Sequence, residues 1–263
     1  MAAMTGIVKA FSQKTGTEFA LGLWGGLMWL DLGWYSFHSY DSRPTFDDPT
    51  LSNLPSWSWL SMKCRYIANL WELAEIRGNY AGEAVLVEFT CKWEGPEYLS
   101  RLLSSKLVIS ARMKPLNLNI PPYASSFYRD RVGNTLDTRI GAGDGDPSGL
   151  LIHLDGPLKQ ADFGSLYLLR LYTVKCTYSR SPLDDFVLLL KREERKDGPV
   201  YRRLGAGHLA RPVPPPYIPW STSYLSALAE PSMEVPTGSY QVGSQATEQS
   251  FFDGVGMQKV ELV

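Results

Sequence analysis

The 263-residue sequence is poor in the residues from which catalytic and metal sites are most often built. It contains three histidines and three cysteines, and none of them has the local spacing of a zinc site. Neither a Gly-x-Ser-x-Gly elbow nor a phosphate-binding loop ending in Gly-Lys-Ser/Thr is present. The sequence therefore predicts no catalytic residue, no cofactor and no metal, and we expect a protein that is not an enzyme.

The net charge limits the classes of partner to expect, and the cysteine content indicates the cellular compartment. The net charge is −1 and the pI is about 6.3, which gives no electrostatic reason to expect nucleic acid or an anionic membrane as a partner. Cys64, Cys91 and Cys176 are odd in number and far apart, which suits thiols in a reducing compartment better than a disulfide framework. We therefore predict a cytoplasmic protein that binds neither nucleic acid nor a membrane.

One hydrophobic run, residues 19–37, is long enough to span a bilayer. Asp31 lies near its middle and would cost about 3 kcal/mol on insertion scales. Its four glycines also weaken an isolated helix. We therefore predict no membrane span.

Hydrophobic spacing predicts a short helical region followed by a β-rich one. Apolar residues at 4, 7, 8 and 11 predict a helix over residues 1–14, and the dense apolar run at 24–35 predicts a second, buried helix. Residues 114–148 are predicted to be irregular. Apolar runs bounded by turn residues predict strands at 84–93, 107–113, 149–155, 165–176, 185–191 and 201–204, the last after a hairpin turn at Asp197-Gly198.

This pattern predicts an α+β, mainly β fold. We expect an antiparallel β-domain, barrel or sandwich-like, at residues 80–210, preceded by a short helical or extended segment at 1–79. Residues 211–263 begin with the proline-rich stretch PVPPPYIPW and continue rich in Ser, Gly, Glu and Gln. We predict that they form a largely disordered tail.

The stretch Pro55-Ser56-Trp57-Ser58-Trp59 is the most distinctive in the chain. Proline favours an extended start, and in a strand both tryptophans would lie on one face. Each indole buries on the order of 200 Å², so we predict that the pair anchors the core. The alternative is an exposed aromatic surface in a small-ligand or carbohydrate-binding β-domain.

Two further patterns point only weakly to cofactor binding or catalysis. Gly205 to Ala210 match the dinucleotide-binding pattern GxGxxA, but prolines rather than a helix follow, so we predict a loop leaving a strand. His153 and His208 are the candidate bases of a Ser–His–Asp set assembled across the fold. We rank that hypothesis last.

The order of these landmarks resembles the end of the heterokaryon-incompatibility (HET) domain of filamentous fungi. The stretches FALGLW at 19–24, LGWY at 32–35 and PSWSW at 55–59 carry the resemblance, although the linker between them is apolar where that of the family is charged. The signature residues that the resemblance implies, as structural anchors, are Trp24, Trp34, Pro55, Ser56, Trp57, Ser58 and Trp59.

The resemblance implies the C-terminal portion of such a protein. The N-terminal body of the family's domain, an α/β module to which any nucleotide chemistry would belong, would precede Met1, so no catalytic residue is carried over. It also implies a non-enzymatic interaction or regulatory role in non-self recognition and programmed cell death. Other HET-type proteins would be among its partners.

Overall fold

A computed structural model describes residues 2–37, 53–61, 66–69, 80–97, 100–117, 129–130, 133–140, 148–155, 158, 160–175, 183–210 and 250–263. The two α-helices of these ranges are α1 (Ala2–Thr15) and α2 (Met28–Asp31). The strands are β1 (Phe19–Ala20), β2 (Leu23–Trp24), β3 (Trp34–Phe37), β4 (Tyr66–Asn69), β5 (Tyr80–Gly82), β6 (Val85–Trp93), β7 (Leu102–Pro115), β8 (Arg129–Asp130), β9 (Gly133–Ile140), β10 (Ser148–Leu154), β11 (Leu166–Lys175), β12 (Leu183–Arg195), β13 (Gly198–Ala210) and β14 (Met257–Leu262).

Five of the strands form a closed cycle of backbone pairing. β12 pairs with β11, β11 with β7, β7 with β14, β14 with β13, and β13 pairs again with β12. All these pairings are antiparallel except the one between β13 and β14, which is parallel. β5 and β6 extend the sheet from β11 and β7, and β10, β9 and β8 extend it from β13. The predicted α+β, mainly β fold is confirmed, and of the two forms predicted for its β-domain, barrel or sandwich-like, the closed cycle corresponds to the barrel.

Most of β11 and residues 184–190 of β12 are buried on both faces, which is why these stretches read as apolar runs. Every side chain from Phe186 to Leu190 is fully buried. Successive strand residues point to opposite faces, so Leu188 packs in one hydrophobic cluster while Val187 and Leu189 pack in another. The sheet therefore has a core on each side of these two strands.

The N-terminal segments contribute to the first of these clusters. Leu23, Leu32 and Trp57 pack there with Leu107 of β7 and Leu188 of β12. Burial of this apolar area stabilises the contact by roughly 25 cal/mol for each Å² removed from water. The predicted division of the chain at residue 80 thus passes through one shared hydrophobic cluster, and as a domain boundary it stays a prediction.

The buried helix predicted over residues 24–35 is wrong in extent. α2 covers only Met28–Asp31, and β3 begins at Trp34, where it pairs with β4. Gly33 follows the helix, and its N–H donates to the carbonyl of Leu30 at 2.9 Å, which closes a tight final turn. The buried apolar residues were expected, whereas the strand pairing that shortens the helix depends on residues far along the chain.

The hydrophobic run at 19–37 is divided among β1, β2, α2 and β3. The Asp31 carboxylate accepts the Trp24 N–H at 2.7 Å. Burial raises the pKa of Asp31, and this hydrogen bond offsets only part of the rise. Among the described residues, no helix has the length and apolar character needed to cross a membrane.

Two of the strands that occur where none was predicted, β9 and β14, belong to the large sheet. β9 lies within the region predicted to be irregular and pairs with β10 from Thr135 to Ile140. Its sequence, GNTLDTRI, has too few apolar residues to signal a strand by alternation. β14 lies within the predicted tail, where Gly254 and Gly256 precede a short alternation that buries Val260 and Leu262. Residues 211–249 of that tail lie outside the described residues.

The GxGxxA stretch is part of strand β13 and not a loop, so that prediction was wrong. Gly205 and Gly207 lie against β10, where the backbones approach closely. A Cβ atom at Gly207 would lie 1.9 Å from the carbonyl oxygen of Leu151. The glycines therefore permit the close approach of β13 to β10.

We expect Gly207→Ala to destabilise the protein by at least about 1–3 kcal/mol, because the new methyl group overlaps the backbone of β10. Gly149→Ala is the matched control, since a Cβ at Gly149, in β10, meets nothing within 4 Å. Urea denaturation of both variants tests this. Equal midpoints for the two would contradict the close approach of the strands.

Candidate functional site

The segment Pro55–Trp59, called the Ser-Trp segment below, is a turn and not a strand. The Ser58 N–H donates to the Pro55 carbonyl at 3.0 Å, and a 3₁₀ turn follows over Trp59–Ser61. The prediction of an extended stretch with both indoles on one face was therefore wrong. The two serine hydroxyls bond to backbone groups, and such bonds compete with a strand ladder.

Trp57 is the anchor of this segment. Its side chain is 0% exposed and meets the ring of Phe89 edge-on, with the centroids 5.9 Å apart. The Trp57 carbonyl accepts the indole N–H of Trp34, itself buried, at 2.9 Å. The two buried tryptophans thus connect the segment to β3 and to the inner face of β6.

Ser58 and Trp59 hold the turn between β1 and β2. That turn places Leu21 at φ 49° and Gly22 at φ 94°, and the first value is unfavourable for a residue with a branched side chain. The Ser58 hydroxyl donates to the Leu21 carbonyl at 2.5 Å, and the Trp59 indole N–H donates to the Gly22 carbonyl at 2.9 Å. These two bonds stabilise a strained hairpin.

Ser56 connects the segment to the closed sheet. Its hydroxyl accepts the Arg203 backbone N–H at 3.0 Å and donates to the carbonyl oxygen of Val263. The Ser56 N–H donates to the same oxygen at 3.2 Å. One serine therefore joins β13 to the residue that follows β14.

The side chain of Arg203 is fully buried and makes the densest set of polar contacts around the segment. Its Nε lies 3.0 Å from Asp155 Oδ2, and its Nη2 lies 3.3 Å from Oδ1. Nη1 donates to the Leu32 carbonyl at 3.0 Å, and Nη2 donates to the Trp34 carbonyl. The guanidinium also stacks on Trp34, with Cζ 3.4 Å from the ring centroid. Arg203 lies in the strand predicted over 201–204 and was given no role, although its alternation with Tyr201 and Gly205 signals an inward position.

The two remaining signature residues, Pro55 and Trp24, lie at the edge of these contacts. Pro55 is buried. Trp24 is half-buried between the rings of Phe11 and Phe19, at centroid distances of 4.8 and 4.7 Å. The structure therefore brings the seven signature residues into one neighbourhood of β1, β2, β3 and the Ser-Trp segment.

A second buried polar cluster surrounds Arg170 on β11. Its guanidinium lies 2.5 Å from Glu83 and 3.4 Å from Asp185. Ser250 donates its hydroxyl to Asp185 at 2.8 Å, and Thr173 donates to the same carboxylate at 2.7 Å. These contacts connect β11, β12 and the segment before β14.

The histidines named as candidate bases lie beside aromatic rings. His153 stacks on Tyr35 with centroids 4.3 Å apart, and His208 is buried with its ring 6.1 Å from that of Phe186.

Burial raises the pKa of the Cys91 thiol to about 12, so at neutral pH that thiol stays protonated and weakly nucleophilic. In the part of the chain that the structure describes, no group of three His, Cys, Asp or Glu side chains is placed to hold a metal.

Comparison with protein-family models, with curated proteins and with solved structures gives no match for this chain.

We expect Trp57→Ala to lower the free energy of unfolding by about 3–5 kcal/mol, as for other fully buried aromatic side chains. Val87→Ala removes an exposed side chain and should change stability by no more than about 0.5 kcal/mol. Guanidinium denaturation followed by far-UV circular dichroism measures both. A Trp57 variant as stable as the Val87 variant would exclude the anchoring role.

Burial raises the pKa of Asp155 from 3.8 to about 6, and the Arg203 guanidinium only partly offsets this rise. The folded state then holds a proton that the unfolded state has already lost. The contribution of Asp155 to stability is therefore full below about pH 4 and falls by up to about 3 kcal/mol as the pH rises through about 6.

Carboxyl ¹³C NMR titration tests this shift, with Asp155→Asn used to assign the resonance. We expect an Asp155 midpoint near pH 6. A midpoint at or below pH 4 would show that the ion pair with Arg203 outweighs the loss of hydration.

Proposed function

We propose that this chain is a cytoplasmic, non-enzymatic interaction or regulatory module related to fungal HET proteins, and that it binds a protein partner through helix α1. The observation that carries the proposal is the exposed apolar stripe of that helix. Ile7 is 65% exposed and Phe11 is 51% exposed, and residues four apart lie on the same side of a helix.

The positions of the signature residues support a structural role for them. Trp57 is fully buried, and the Trp59 indole N–H is engaged by Gly22. An aromatic surface that stacks on a sugar or a small ligand needs accessible rings. The alternative of a ligand-binding β-domain would therefore have to use a different surface.

The chemistry of α1 indicates the kind of partner. The helix carries Lys9 and Lys14 and no acidic residue, and both lysines are exposed. Phe11 touches the Trp24 ring at a centroid distance of 4.8 Å but leaves half of its surface free. A partner with an apolar groove and an acidic rim matches this helix, in the manner of other amphipathic helices that bind in grooves.

Expression of the full chain in a filamentous fungus, with co-precipitation of tagged HET-type proteins of that host, tests the proposal. We expect a growth effect and binding for the wild type, and at least a tenfold loss of binding for Ile7→Glu, because the substitution places a charge on the apolar stripe. Gln13→Glu adds the same charge at another exposed position and should bind as the wild type does.

Thermal unfolding should not separate the two variants, since both positions are exposed. Absence of any growth effect or HET-type binding by the wild type would contradict the proposal. Equal binding by Ile7→Glu and Gln13→Glu would contradict the role of α1.

A further inference from the structure

The segment Ser250–Val263 fills a groove between β7 and β13. Residues Met257–Leu262 pair antiparallel with Leu107–Arg112 along β7, and Leu262 is paired with Tyr201 of β13. In the closed cycle, β14 lies between β7 and β13 and pairs with both of them. The closed sheet is therefore completed by a segment that belongs to a distant part of the sequence.

The groove binds the apolar side chains of this segment on both sides of the sheet. Val260 and Leu262 are fully buried in the first hydrophobic cluster, and Phe252 is fully buried in the second. Between the two apolar residues of the strand, Glu261 keeps partial solvent contact. This alternation fixes the register, because a slip by one residue would place charged side chains in the core.

Polar contacts fix both ends of the segment. At its start, the Ser250 hydroxyl donates to Asp185 at 2.8 Å and accepts from Arg170 at 3.3 Å. At its end, the Val263 N–H donates to the Tyr201 carbonyl at 3.0 Å, and the Val263 oxygen accepts from the N–H and hydroxyl of Ser56. The groove therefore recognises a peptide strand of defined direction and register.

The covalent connection does not force the segment to bind its own groove. The 39 residues 211–249 lie between Ala210 and Ser250, and an extended chain of that length spans up to about 130 Å. Leu209 pairs with Asp185, whose carboxylate contacts Ser250, so the two ends of this connection lie close together. The same contacts are available to the segment of another molecule.

We propose that the groove between β7 and β13 is a strand-acceptor site into which residues 250–263 of a second copy of this chain bind by strand exchange. The backbone pairs, the three buried apolar side chains and the contacts of Ser250 and Val263 are identical in the two arrangements. The connection favours the chain's own segment at low protein concentration by raising its effective concentration. Exchange yields a dimer at high concentration. This inference does not depend on the proposed function.

The first test uses the full-length folded protein with a specific protease site placed within residues 211–249. After cleavage, we expect the fragment that contains residues 250–263 to remain bound through gel filtration. A fluorescent synthetic peptide of residues 250–263 should then replace it with saturable binding. Loss of the fragment on cleavage, or failure of the peptide to bind, would overturn the acceptor site.

Two variant peptides give the specificity of the groove. Val260→Asp places a charge at a fully buried position and should weaken binding at least a hundredfold. Lys259→Ala changes an exposed side chain and should bind within about threefold of the wild-type peptide. Equal binding of the Val260→Asp and wild-type peptides would show that the interaction is non-specific and would overturn the proposal.

A second measurement identifies the second copy as the occupant. Two uncut preparations, one isotopically heavy, are mixed at increasing concentration and analysed by native mass spectrometry. We expect mixed dimers whose fraction rises with concentration and falls when excess wild-type peptide is added. Peptide binding by the cleaved protein without any mixed dimer from the intact chain would overturn the second copy as occupant.

Discussion

A charged group that leaves water needs a counter-charge and hydrogen-bond acceptors inside the protein. For the buried Arg203, several distant elements of the structure must supply them. Its counter-charge comes from Asp155 at the end of β10, and its acceptors and stacking partner come from Leu32 and Trp34. Removing one partner of a buried ion pair typically costs about 3–5 kcal/mol, because the other charge is left unpaired. Burial of Arg203 in the closed sheet therefore requires that the N-terminal segment be in place, and this couples the two parts of the chain.

In the Ser-Trp segment, uncharged polar groups likewise find hydrogen-bond partners inside the protein. Ser56 binds β13 and Val263, the Trp57 carbonyl binds the Trp34 indole, and Ser58 and Trp59 bind the two carbonyls of the β1–β2 turn. These groups of the segment thus reach β13, Val263, β3 and the β1–β2 turn, and the segment folds as a turn at the centre of the contacts. Helix α1 contributes little to this interior, and its Ile7 and Phe11 side chains are exposed.

The parts of the fold that were predictable from sequence are those whose signal is local. Strands β6, β10, β11 and β12 have apolar runs that end at turn residues, and the helix of α1 follows from the spacing of Ile7 and Phe11. The parts that were not predictable depend on distant residues. β9 and β14 are defined by the strands that they join, and Arg203 reads as a surface charge until Asp155 and Trp34 are known to face it. The burial of Trp57 was predictable from its size, whereas the turn around it depends on carbonyl groups of Leu21 and Gly22 that no local pattern reveals.

Native-state hydrogen exchange tests most directly the claim that the N-terminal segment and the closed sheet are held as one unit. The amides to compare are those of Leu23 and Trp24 in the hairpin with those of Val187 and Leu189 in β12. We expect both pairs to exchange only through global unfolding, with equal free energies of opening and the same dependence on denaturant. Exchange of the hairpin amides at a free energy several kcal/mol lower, with β12 still protected, would contradict it and would show that the segment opens independently of the sheet.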